Sequence, residues 1–266
     1  MNSPIHPLNL KKPQLTLVGA GPGDAELITL KGMKALQKAA IVLYDALANP
    51  ELLDFAPKTA LKISVGKRAG KHSHTQTEIN QLIVKYAFQY GSVVRLKGGD
   101  PFIFGRAQEE IEYAETFGIE VMVIPGISSA VGLPVLQKIP LTQRGVSESF
   151  WVITGTTQDR KLSEDLALAA QTTATVVVLM GVKQLPEIVA QYQILGRGNL
   201  PIALIQNGST PQEKTAIAEI DNILEEVNRK GIGSPAVIII GEVVREKLSQ
   251  VRILNEQFSM MNEYIQ

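Results

Sequence analysis

Apolar residues in the first half of the chain recur in short runs: LTLVGAG at 15–21, AIVLYD at 40–45, LKISVG at 61–66, SVVRLKGG at 92–99 and IEVMVIPG at 119–126. Each run is rich in residues that favour strands, and each closes on glycine or aspartate, which predicts buried strands that end in tight turns. The segments 27–38, 75–90 and 106–117 lie between them and read as helices. Strands alternating with helices predict an α/β domain built on a mainly parallel, doubly wound sheet. Ligands of such a sheet sit at the carboxyl ends of its strands.

The rhythm breaks at PGISSAVGLPVLQKIPLTQR, residues 125–144, a stretch rich in Gly, Pro and Ser. A second series follows: SFWVITG (149–155), ATVVVLMG (174–181), PIALIQNG (201–208), TAIAEI (215–220) and AVIIIGEVV (236–244). The pattern predicts two α/β domains, 14–127 and 128–246, with tails at 1–13 and 247–266. The helical pattern DNILEEVNRK between the last two runs favours a mixed second sheet over a purely parallel one. The opening MNSPIHPLNLKKPQ reads as a loose tail, and the end of the chain as a polar helix or a fraying tail. No internal repeat or low-complexity tract is visible.

Composition narrows the classes of function. A chain of 266 residues with 45 % hydrophobic content can bury one large core or two ordinary ones. Lys plus Arg and Asp plus Glu both total 26, so no overall field draws the chain to nucleic acid or to an anionic membrane. Cysteine is absent, which removes disulfides, thiolate metal sites and cysteine nucleophiles and fits a reducing cytoplasm. Apolar runs such as ATVVVLM at 174–180 fall well short of a membrane span, which needs roughly 20 residues. A soluble cytoplasmic protein is the expectation.

Candidate chemistry gathers at the strand ends. VGAGPGD at 18–24 carries glycines at 19, 21 and 23, which are not spaced as G-x-G-x-x-G, and Pro22 lies inside the turn. A nicotinamide oxidoreductase, with Asp45 as the acidic partner of the ribose, is therefore a distant alternative. VRLKGGDPFIFGR at 94–106 is more specific. Gly98 and Gly99 admit a close backbone approach, Asp100 supplies a carboxylate and Pro101 stiffens the exit. Carbonyls and a carboxylate suit a cationic ligand such as S-adenosylmethionine better than a phosphate; the plainer alternative is a turn in which Asp100 caps the next helix. Residues 55–77 hold five Lys or Arg, two His and no acid, a one-signed patch for a polyanion that Arg95, Lys97, Arg106 and Arg144 would extend, or else a solvated loop. It lacks the interleaved aromatics of a single-stranded nucleic-acid platform.

These pieces resemble the tetrapyrrole methyltransferases. The resemblance rests on VGAGPGDAELITLKG (18–32), VLYDAL (42–47), VGKRAGKHSHTQTEIN (65–80), VRLKGGDPFIFGR (94–106), VIPGISSAVG (123–132), IPLTQR (139–144), LMG (179–181) and IIGEVV (239–244). It runs from about residue 14 to residue 245. The first of these elements marks only the fold, whereas the blocks at 65–80 and 94–106 resemble the branch that methylates uroporphyrinogen III.

The resemblance implies a homodimer of two-domain subunits with the cofactor in a cleft between the domains. It implies transfer of methyl groups from two S-adenosylmethionines to C2 and C7 of uroporphyrinogen III, giving precorrin-2 and two S-adenosylhomocysteines on the way to sirohaem and cobalamin. Carried over by position, the cofactor contacts are Pro22, Gly98, Gly99, Asp100, Ile103, Ser128, Ser129, Met180, Gly208 and Ala236. Arg68, His72, Arg106 and Arg144 fall where the substrate's eight carboxylates would be met, which accounts for the basic patch. Phe102 and Phe104 are expected to pack locally. Asp45 matches a proton acceptor and Lys67 a proton donor, with a helix cap and a plain anion contact as their alternatives.

Three departures stand out: PGISSA for PGITAA, PLTQR for PLTHR at Gln143, and TGT for TGH at Thr156. The last two remove any catalytic histidine there. No metal site is expected, since no Asp, Glu or Cys cluster accompanies His72 and His74. A 13-residue lead leaves no room for a fused partner, so methylation alone is expected. A methylase of a later corrin precursor, such as the C11 enzyme, and a noncatalytic tetrapyrrole carrier remain alternatives.

Overall fold

The computed structural model describes residues 12–66 and 74–265. The chain divides between Ile127 and Ser128 into two compact units, each built on its own five-stranded sheet.

In the first unit the strands are β1 (Gln14–Gly19), β2 (Ile41–Tyr44), β3 (Leu61–Ser64), β4 (Ser92–Lys97) and β5 (Glu120–Ile124), in the order β3-β2-β4-β1-β5. Every pairing is parallel. The central strands β1 and β4 are almost wholly buried, because helices cover both faces of a parallel sheet. On one face Leu15, Leu17, Leu43 and Val93 pack under α2 (Gln76–Tyr90) and α3 (Ala107–Glu115). On the other, Val18, Val42, Val94 and Leu96 pack under α1 (Leu30–Gln37) and the short 3-10 helix Pro50–Phe55. The helix starts are legible in the sequence. Thr29 Oγ1 accepts from Gly32 N at 3.1 Å to open α1, and Thr75 with Glu78 closes a reciprocal capping box on α2.

The second unit is a mixed sheet in the order β6-β7-β10-β8-β9. Its strands are β6 (Phe150–Thr154), β7 (Thr175–Leu179), β8 (Pro201–Gln206), β9 (Lys214–Glu219) and β10 (Ala236–Ile240). Only β6 and β7 run parallel. The chain folds back from β8 to β9, and β10 is inserted antiparallel between β7 and β8. The antiparallel character thus comes from the β8–β9 connection and from the inserted last strand. One face carries α5 (Asp165–Ala169), α6 (Leu185–Ile194) and α7 (Ile223–Lys230) over a core that includes Val176, Val178, Leu204 and Ile238. The other carries α4 (Ser129–Leu136) and the start of α8 (Arg245–Ile265), through Leu133 and Leu248.

All ten predicted strands are present. Helix α4, however, lies in the stretch whose glycines and prolines break the sequence pattern, and it holds Pro134 inside it. Burial of Ala130 and Leu133 overrides the low helix propensity of Gly132 and Pro134. The chain after residue 246 is helical through Ile265.

Candidate active site

The carboxyl ends of β1, β4 and β5 meet where glycine backbones pack closely together. Gly21 N donates to Gly99 O at 3.2 Å and Gly99 N to Gly21 O at 2.8 Å, a small antiparallel bridge between two loops. A Cβ on Gly19 or on Gly126 would fall on the other glycine's backbone and on the Gly99 carbonyl. Asp100 ties the junction down: Oδ1 accepts from Phe102 N at 2.8 Å and Oδ2 from Gly126 N at 3.0 Å. The likeness of three glycine-rich strand ends, unexplained by the sequence, follows from their mutual contact. Gly99 serves this packing, and the missing side chain of Gly98 makes room for Leu47. Pro22 is half-buried beside this junction, and Ile103 is exposed on the next loop.

That loop turns outward. Phe104 and Arg106 adopt left-handed backbone, with φ of 54° and 58°, and Gly105 packs against the Pro101 carbonyl. Phe102 and Phe104 are consequently 53 % and 44 % exposed, which corrects the expectation that they pack locally. Arg106 is also exposed and forms a two-pronged pair with Glu109, at 2.7 and 2.6 Å. Arg106's hydrogen bond, followed by its charge, holds the Glu109 carboxyl below its ordinary range.

Arg95 and Lys97 do not extend a surface patch. Two residues apart on β4, they point to the face covered by α2 and α3, where they are 2 % and 3 % exposed. There Glu110 Oε1 accepts from Lys97 Nζ at 2.9 Å and from Arg95 Nε at 3.2 Å. Arg95 Nη2 reaches Asp45 Oδ1 at 2.5 Å. Burial, reinforced by the Arg95 charge, lowers the Lys97 pKa, although Glu110 and Asp45 pull it upward. Asp45 caps no helix, since Asn49 caps the 3-10 helix that follows; its carboxylate stands at the end of β2, 27 % exposed.

In the second unit, sheet register brings three expected cofactor contacts to one end. Met180 follows β7, Gly208 follows β8 and Ala236 opens β10, with Val237 opposite Leu179 and Ala236 opposite Gln206. The backbone there is strained: Met180, Asn207 and Ser209 have φ of 57°, 48° and 59°. Thr156 Oγ1 lies 2.8 Å from the Met180 carbonyl oxygen and 2.9 Å from Gln184 Oε1, and so supports the Met180 turn. Gly208 is buried against Leu133 of α4, where a Cβ would clash with the Leu133 methyl groups. Ser128 caps α4 by accepting from Ala130 N at 3.3 Å, and Ser129 begins the helix. Arg144 is exposed in a turn closed by Gln143 N donating to Ser147 O at 2.9 Å.

Lys67, Arg68 and His72 lie outside the described residues. Among the described residues, no three His, Cys, Asp or Glu side chains gather as a metal site would require. No helix among them is long and apolar enough to cross a membrane. Among the described residues, the turn after β1 does not form a dinucleotide cradle. Asp24 Oδ1 accepts from Glu26 N at 2.9 Å and Thr29 caps α1, so side chains hold the amides that a pyrophosphate would need.

Residues 14–224 match the family of Tetrapyrrole (Corrin/Porphyrin) Methylases. The chain belongs to the tetrapyrrole methylases. It is 44 % identical over 239 residues to the uroporphyrinogen-III C-methyltransferase of Methanocaldococcus jannaschii, covering 89 % of this chain and 99 % of that one. It is 39 % identical over 254 residues to the siroheme synthase of Hydrogenovibrio crunogenus, covering 94 % of this chain but 53 % of that protein. This tetrapyrrole methylase thus spans about half the length of that synthase. The uroporphyrin-III C-methyltransferase of Thermus thermophilus, solved with S-adenosyl homocysteine, aligns with a TM-score of 0.75 at 37 % identity, over 87 % of this chain and 99 % of that one.

Two features of this tetrapyrrole methylase escaped the sequence reading. Glu110 is one of four charged or amide-bearing residues in the run QEEIE, and the signal that could have found it is its helical spacing from Ala107, Ile111 and Ala114, which puts it on the buried face of α3. Thr156 registers in sequence only as a departure from histidine, whereas its hydroxyl holds the turn at Met180.

Proposed function

We propose that this chain methylates uroporphyrinogen III at C2 and C7, using two S-adenosylmethionines and giving precorrin-2 and two S-adenosylhomocysteines for sirohaem or cobalamin synthesis. The observation that carries the reading is the near full-length similarity to a uroporphyrinogen-III C-methyltransferase. Likeness to an enzyme solved with S-adenosyl homocysteine supports the choice of cofactor. A homodimer in the cytoplasm completes the reading.

In this reading Pro22, Gly98, Gly99, Asp100 and Ile103 of the first unit contact the cofactor, as do Ser128, Ser129, Met180, Gly208 and Ala236 of the second. Arg106, Arg144, Arg68 and His72 meet substrate carboxylates. S-adenosylmethionine supplies a methyl group made electrophilic by its sulfonium. As a pyrrole carbon bonds to that methyl, the C–S bond breaks and the ring becomes cationic, so a ring proton must leave. In this reading the Asp45 carboxylate, 27 % exposed at the end of β2, takes that proton, with Lys67 as the matching donor. Alignment contributes most of the rate, up to about 7 to 11 kcal/mol in well-oriented systems; proton transfer adds about a hundredfold to ten-thousandfold.

Anaerobic incubation with uroporphyrinogen III and S-adenosylmethionine, followed by mass spectrometry, tests the reading. Two added methyl groups are the expected result. No addition despite cofactor binding would overturn the substrate assignment in favour of a later corrin precursor.

A further inference from the structure

Four ionisable side chains meet beneath the carboxyl end of the first sheet, and only one of them opens to solvent. Arg95, Lys97 and Glu110 are 2, 3 and 1 % exposed, whereas the Asp45 side chain is 27 % exposed. Glu110 is the hub. Its Oε1 accepts from Lys97 Nζ at 2.9 Å and from both Arg95 Nε and Gln76 Nε2 at 3.2 Å, while the buried Oε2 makes no hydrogen bond. Glu110 Oε1 also lies 3.2 Å from Arg95 Nη2, which donates to Asp45 Oδ1 at 2.5 Å, while Nη1 donates to Leu96 O at 3.1 Å. Glu110 thus holds the planar fork along its Nε–Nη2 edge, and the Nη2 it fixes is the one that directs the Asp45 carboxylate.

Stability does not account for this arrangement. Desolvating each ion costs several kcal/mol, and well-packed apolar side chains of similar volume are often equally stable or more so. What charge provides here, and apolar packing would not, is direction. We propose that Glu110 is a positioning residue that touches neither substrate nor cofactor. Braced by Lys97 and Gln76, it locks Arg95 in the orientation that aims the Asp45 carboxylate at the reacting macrocycle. This rests on the reading of Asp45 as a site residue.

Glu110→Gln keeps the shape of the hub and removes its charge. Single-turnover methyl transfer to uroporphyrinogen III, in which small residual rates stay readable, is compared in the wild-type and Asp45→Asn backgrounds, with S-adenosylhomocysteine affinity measured by calorimetry. The expected result in the wild-type background is a rate lower by about 10- to 100-fold. Affinity should stay within about twofold, and the Asp45→Asn background should show no further loss. An unchanged rate, an equal loss in both backgrounds, or a loss of affinity in step with rate overturns the proposal. Full activity of Asp45→Asn would instead overturn the reading beneath it. Should Glu110→Gln not fold, the pair Lys97→Met with Glu110→Met removes one charge of each sign and is judged by the same comparisons.

Discussion

At the scale of single residues, the sequence marked positions better than it marked their work. VRLKGGDPFIFGR identified an important loop, yet its Arg95 and Lys97, expected to extend a surface patch, are buried on Glu110. Such reversals arise because a motif records residue types, while the partners come from other elements of the fold. Gly126→Ala should cost about 2–3 kcal/mol through backbone overpacking. Gly118→Ala, with open space around its left-handed backbone, should cost about 1 kcal/mol from conformation alone; urea denaturation of both variants reads the difference. Lys97 gives a second test. Its pKa is lowered from 10.5 in the folded chain. Between the folded and unfolded values the unfolded chain holds more protons, so the Lys97 contribution grows more favourable as pH rises. The stability of wild type relative to Lys97→Met should increase from neutral pH towards pH 10, as followed by urea denaturation across that range.

At the scale of elements, legibility tracked how locally each element is specified. Strands ending in glycine announce themselves, and α2 carries its own start signal in Thr75 and Glu78. Helix α4 carries none beyond Ser128, because it exists by virtue of what Ala130 and Leu133 bury. Locally specified caps should show local costs. Thr75→Ala should destabilise the protein by about 1 kcal/mol, with hydrogen exchange accelerated first at the amides that open α2. Uniform acceleration across the first sheet would mean that the cap supports more than its own helix.

At the scale of the molecule, alternation of strands and helices was enough to anticipate two α/β units, because covering a parallel sheet on both faces leaves few other solutions. The mixed order of the second sheet was less accessible, since insertion of β10 between β7 and β8 is a pairing decided by the whole unit. Ligand linkage gives the corresponding prediction. S-adenosylhomocysteine at a hundred times its dissociation constant should stabilise the folded chain by about 2.7 kcal/mol, seen as a raised thermal midpoint, with no rise from NAD. The glycine junction of Gly19, Gly99 and Gly126 bears on how such a protein can be altered over generations. Where main chain lies on main chain there is no room for a Cβ, so Gly19 and Gly126 cannot drift one without the other, and Gly99 is held by its left-handed backbone. Libraries that randomise this rim should therefore return working clones with those glycines intact, and with their diversity confined to outward positions such as Phe102 and Ile127.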